Sequence, residues 1–150
     1  MSPFGVFGKK DWDVDTRVIA TRLQKLEGYV QHLRALQQAP LDEYIEDENL
    51  QAIVERRLQL SIQVCIDIAS YLIAQLGLQA PDEQHNVFVV LGREHIISPD
   101  LANRMIGMVR FRNILVHDYL DIDSKLVYQH LSERIKDFEQ FAQEISTSLF

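Results

Sequence analysis

A chain of 150 residues, 47% hydrophobic and 25% charged, has the composition of one globular domain and is long enough to bury a core without staples. The net charge of −7 argues against loose, non-specific capture of nucleic acid, and the single cysteine, Cys65, excludes an internal disulfide and suits a reducing compartment. No apolar run approaches the ~20 residues that span a bilayer, and Met1-Ser2-Pro3-Phe4-Gly5 lacks the basic-then-apolar layout of a signal peptide, so the expectation is a cytoplasmic protein with no membrane partner.

Residues 1–12 read as a flexible N-terminal segment and 13–150 as one helical domain. From Asp13 to about Gln38, Val14, Val18, Leu23, Leu26, Val30, Leu33 and Leu36 trace one face of a long amphipathic helix, with Asp13 or Asp15 as its cap and Pro40 after its end. Asp42, Glu43, Glu46, Asp47 and Glu48 then form an acidic run. A second long helix is expected from about Asn49 to Leu76, carrying Leu50, Ile53, Val54, Leu58, Val64, Cys65, Ile68, Leu72 and Leu76, with Gly77 as its stop. Cys65, between Val64 and Ile66, reads as a buried thiol. After a loop through Pro81, a short helix over about Glu83 to Glu94 carries Val87, Phe88 and Leu91.

Ser98-Pro99-Asp100 combines a cap, a first-turn proline and a dipole-matching acid, and starts a helix to about Val116. A last helix, capped within Asp121 to Ser124, runs to about Ser146 through Leu126, Val127, Leu131, Ile135, Phe138, Phe141 and Ile145. No segment alternates convincingly with period two. The fold class is all-α, an antiparallel helical bundle of four main helices plus a short one.

Packing does not account for the octapeptide Arg112-Asn113-Ile114-Leu115-Val116-His117-Asp118-Tyr119. On a helix, Leu101, Met105, Met108, Arg112, Leu115, Val116 and Tyr119 form one stripe, so a guanidinium interrupts an apolar seam. Arginine is rarely buried unpaired; either it meets a carboxylate in a structural ion pair or the seam opens to a cleft. Arg93, Arg104, Arg110 and Arg112 outnumber Glu94 and Asp100 here, a local cationic cluster on an acidic body. His117 is offset from Arg112 by about 140° on an ideal helix, so the two converge only if the helix ends there or a second copy completes the site. Taken alone, His117 reads as a surface or capping residue. Together, a proton-exchanging imidazole and a phosphate-binding guanidinium suit metal-independent phosphodiester cleavage. His32, His85, His95 and His130 form no metal-ligand pattern, and no cofactor is expected.

Arg112 to Tyr119 matches the R-x-x-x-x-H-x-Y signature of the HepT toxins, a branch of the HEPN superfamily. The chain resembles that family over about residues 13–147, through the long first helices, Phe88 and Leu91, the Ile-Ile-Ser-Pro helix start, and Ile122-Asp123 with Val127-Tyr128. The resemblance implies an all-α homodimer that cuts RNA, tRNA or mRNA, without a metal. It implies that Arg112 binds the scissile phosphate, that His117 is general acid/base and that Asn113 orients the pair. It further implies a type VII-like toxin–antitoxin system, in which a minimal nucleotidyltransferase antitoxin (MNT, or MntA) silences the toxin by AMPylating Tyr119. Two other readings remain open: a non-catalytic adaptor for a nucleotidyltransferase or its nucleotide, and a phosphorelay bundle with His117 as acceptor. Dimer contact is expected through Met105, Met108 and Leu115.

Overall fold

The computed structural model describes residues 14–79, 87–117, 120 and 122–150. Among them are six helices and no strand: α1 Thr16–Leu36, α2 Leu41–Glu46, α3 Glu48–Gln75, α4 Val87–Arg93, α5 Pro99–His117 and α6 Ser124–Leu149. Local chemistry sets most of their ends. Asp15, the second of the two expected caps, accepts the backbone N–H of Arg17 to open α1, and Asp123 accepts those of Lys125 and Leu126 to open α6. Ser98 Oγ accepts the N–H of Leu101 at 3.2 Å, as the Ser-Pro-Asp start requires. At the end of α3, Gly77 takes φ 65°, and the bonds Leu78 N–H to Ile73 O (3.0 Å) and Gly77 N–H to Ala74 O (3.3 Å) close a Schellman turn.

Two short helices are present where one was expected. The extra one, α2, lies inside the acidic run and is too short to show a period. Asp42 and Glu43 occupy its first turn, where the helix dipole favours negative charge, and Tyr44 anchors it in the core. Asp47 caps α3 through the N–H of Leu50 at 3.0 Å, with Glu48 in the first turn. The run is thus largely accounted for as charge matched to two successive helix starts.

The register of cross-helix bonds gives the topology. Tyr71 Oη accepts the N–H of Asp15, Arg22 donates to the carbonyl of Asp67, and Arg57 donates to His32, so rising numbers on α1 meet falling numbers on α3. Ser98 with Glu144 and Arg104 with Asp137 show the same opposition between α5 and α6. Gln37 with Ser132 and Arg34 with Glu139 show it between α1 and α6. The bundle is antiparallel.

Helix α3 packs against all five others. Its buried face is consequently wider than the expected stripe, adding Ile62, Ile66 and Ala69 to Val54, Leu58, Cys65, Ile68 and Leu72, while Ile53 turns outward. Its composition corrects one expectation. Glu48–Gln75 is long and apolar enough to cross a membrane, with half of its most apolar window buried inside the fold. Cys65 is fully buried, and burial pushes its thiol pKa up.

Met105 and Met108 are fully buried and Leu115 nearly so, packed within the chain's own core. Buried in their own chain, these three offer no surface for the dimer contact expected of them. Phe88 and Leu91 are core residues too, Phe88 meeting Phe141 edge-on at 5.9 Å. Gly92 lets α4 close on α5, since a Cβ there would lie 2.7 Å from that of Ala102.

Candidate active site

Helix α5 carries the site, and its two ends are held differently. Near the start, Arg104 Nε donates to Asp137 at 2.9 Å and a terminal nitrogen to Gln140 at 2.6 Å; the guanidinium also pairs with Asp100. The Asp137 bond, then Asp100, hold its pKa above the ordinary arginine value. Arg104 is therefore a clamp between α5 and α6, and the local arginine cluster is not one patch.

Two turns further on, Arg112 is half-buried and leans towards α3, where Nη1 donates to Gln63 Oε1 at 2.9 Å. The Gln63 amide nitrogen in turn donates to Asp67 at 2.9 Å. Both bonds are satisfied only with the amide oxygen towards Arg112, so the pair fixes the amide's orientation. Arg112 is thus tied to the neighbouring helix through a neutral amide. Gln63 had no signal in the sequence, because 49 residues separate the two.

His117 is the last residue of α5 and is exposed. The helix stays regular up to it, so the angular offset from Arg112 persists: Arg112 points along α3 and His117 outward. Asn113, one turn before His117, is exposed on the same side. So is Arg110, a member of the expected cationic cluster, whose i,i+7 spacing from His117 places the two on one face. Tyr119, Asp118 and Asp121 lie outside the described residues. The structure thus places Asn113, Arg110 and His117 on one open face of α5 and turns Arg112 away from it, towards α3.

Of the other histidines, His32 Nδ1 accepts from Arg57 Nε at 2.7 Å, His130 lies 3.4 Å from Glu133, and His95 is exposed; His85 lies outside the described residues. Among the described residues, no group of three or more His, Cys, Asp or Glu could hold a metal ion.

Residues 19–145 match the family model described as HepT-like, ribonuclease HepT-like. The chain belongs to the HepT-like ribonuclease family. Its relatives include a tRNA nuclease HepT from Aphanizomenon flos-aquae, 31% identical over 137 residues, covering 91% of this chain and 93% of the relative. An mRNA nuclease HepT from Shewanella oneidensis is 33% identical over 103 residues, covering 69% and 77% respectively. Among solved structures, a tri-AMPylated Shewanella oneidensis HEPN toxin in complex with its MNT antitoxin superposes with a TM-score of 0.80. It is 27% identical and covers 87% of this chain and 97% of that one. The HepT-like chain is accordingly a ribonuclease of toxin–antitoxin type, which sets it apart from the adaptor and phosphorelay alternatives.

Proposed function

We propose that this HepT-like chain cleaves RNA phosphodiester bonds without a metal, using Arg112 and His117, and is silenced by AMPylation of Tyr119. The observation that carries the reading is the pairing, on one helix, of an exposed terminal imidazole with a guanidinium braced from behind by Gln63. His117 takes the proton from a ribose 2′-hydroxyl, the freed oxygen attacks phosphorus, and the bond to the 5′-oxygen breaks. That oxygen leaves with a proton from an imidazolium, giving a 2′,3′-cyclic phosphate and a 5′-hydroxyl. Arg112 contacts the non-bridging oxygens, where charge builds up. Asn113 orients the pair from the His117 side. The substrate is tRNA or mRNA, the classes for which the two nuclease relatives are named.

The angular offset between Arg112 and His117 supports a homodimer in which two copies of α5 line one cleft. With Met105, Met108 and Leu115 occupied in the core, the contact moves to the outer face of α5, where the space over Gly107 is open beside Ile106 and Arg110. The regulatory partner is a minimal nucleotidyltransferase of the MntA kind, as in the solved complex with an AMPylated HEPN toxin. AMP on Tyr119, two residues past the imidazole, adds phosphate charge where the RNA phosphate must sit. No cofactor or membrane enters this scheme, and the protein acts in the cytoplasm.

The decisive experiment is cleavage of labelled RNA in EDTA by wild type, Arg112→Ala, His117→Ala and Tyr119→Phe, with and without the nucleotidyltransferase, ATP and Mg²⁺. Each of the first two substitutions should cost about 10²–10⁴-fold. Tyr119→Phe should keep activity and escape silencing. Near-wild-type activity of His117→Ala, full loss of activity in EDTA, or adducts confined to another tyrosine such as Tyr128 would refute the scheme.

A further inference from the structure

Beside the open face of α5 lies a pocket of about 270 Å³ between α5 and the start of α6, walled by Phe111, Ile114, Leu126, Val127, His130 and Arg134. It is smaller than the ~300–1,000 Å³ of sites that take drug-sized ligands, and suits one or two fused rings. Its walls are mainly aliphatic and aromatic, and Leu126 is half-exposed at its side. The exception is Arg134. Its guanidinium lies 5.2 Å from the centre of the Phe111 ring, and its Nε–H is buried without an acceptor among the described residues. A buried donor is ordinarily satisfied, and none of the described residues supplies an acceptor for this one. Asp123, whose carboxylate caps α6 at the same pocket, disfavours an anion there. The pocket therefore suits a neutral, flat, aromatic group with a hydrogen-bond acceptor on its edge.

Its place on the catalytic helix says which group that is. Ile114, on its wall, lies one turn before His117 and about 60° round the helix from it, so pocket and imidazole open on neighbouring parts of one surface. We propose that the pocket holds the base of a nucleotide next to the cleaved phosphate. The base packs against Leu126 and Ile114, and the Arg134 guanidinium, backed by the Phe111 ring, offers its terminal N–H groups to an acceptor on the base edge. Arg134 is then a specificity-determining residue, and the base it selects sets where along the RNA the cut falls. This rests on the ribonuclease reading above and adds to it a base-binding subsite.

The test uses the full chain and a fully 2′-O-methylated oligonucleotide, which has no attacking hydroxyl, carrying 4-thiouridine for photocrosslinking. Crosslinks should map to the α5 and α6 walls, at Phe111, Leu126 or His130. Leu126→Trp, which fills the pocket from a half-exposed position, should weaken binding about tenfold, the size of one lost base contact. Arg134→Gln should raise KM more than it lowers kcat and flatten the preference among four unmodified RNAs that differ in the base beside the cut; Arg134→Lys should restore neither. Thermal melts of each variant separate these effects from misfolding. If wild type cuts RNA while all crosslinks fall elsewhere and Leu126→Trp keeps its KM, the subsite is wrong and the ribonuclease reading stands. Crosslinks in the pocket without cleavage of the unmodified RNAs would support the subsite and overturn the catalytic reading. A dimer interface over the pocket, seen as dissociation of the dimer by Leu126→Trp with base preference unchanged, would overturn the subsite as well.

Discussion

Gln63 offers the sharpest test of how Arg112 is held. Its amide oxygen accepts from Arg112 at 2.9 Å and its amide nitrogen donates to Asp67 at 2.9 Å, so truncating it removes a brace without touching any reacting group. A hydrogen bond to a charged group contributes ~1.5–3 kcal/mol, and because Arg112 is half-buried the lower end applies, about 1.5 kcal/mol. If that ordering serves the transition state, Gln63→Ala should lower kcat/KM roughly tenfold, since ~1.4 kcal/mol corresponds to one decade of rate. The drop should fall mainly on kcat, because a loosened guanidinium still reaches ground-state phosphate part of the time. Gln63→Glu separates position from charge: it keeps Arg112 in place but offers it a full carboxylate in competition with RNA. That variant should bind RNA more weakly than Gln63→Ala despite the better-ordered arginine. The assay is steady-state cleavage of a labelled RNA at fixed ionic strength, with melting curves as a control for folding. Unchanged kcat/KM in Gln63→Ala, alongside inactive Arg112→Ala, would refute the bracing argument.

Two further expectations concern the scaffold. His95 has φ 56°, and the bonds His95 N–H to Gly92 O and Ile96 N–H to Leu91 O close the turn after α4 in the arrangement glycine usually serves. His95→Gly should therefore raise Tm by a few degrees for about 1 kcal/mol relieved, and a fall in Tm would show that the side chain supports the turn. Partial burial raises the pKa of Glu55 above its ordinary value of 4.5, so the fold prefers the protonated form and loses stability as pH rises from there through the raised value. Glu55→Gln should then be more stable than wild type near pH 7 and level with it below about pH 4. Melting curves across that range check this, and a gain that grew towards acid pH would contradict it.

The helices were legible in the sequence wherever chemistry is local. Ser98-Pro99-Asp100, Gly77 and the 3.6-residue stripes each specify a start, a stop or a buried face through atoms within a turn or two of one another. The Arg112 to His117 spacing was legible for the same reason, as was the half-turn offset between the two side chains. What lies on either side of that helix depends on contacts between residues far apart in the chain, and there sequence reading failed in particular ways. Met105 and Met108 looked free to meet a partner, but the chain's own core already covers them. Arg104 and Arg112, similar on paper, part company because one falls opposite Asp137 and the other opposite Gln63. Helix α2 was hidden because six residues give too short a stripe, and only the pocket for Tyr44 makes them cohere. Periodicity tells which side of a helix is apolar; only the packed bundle decides which neighbour covers it, and so which side chains are left for RNA.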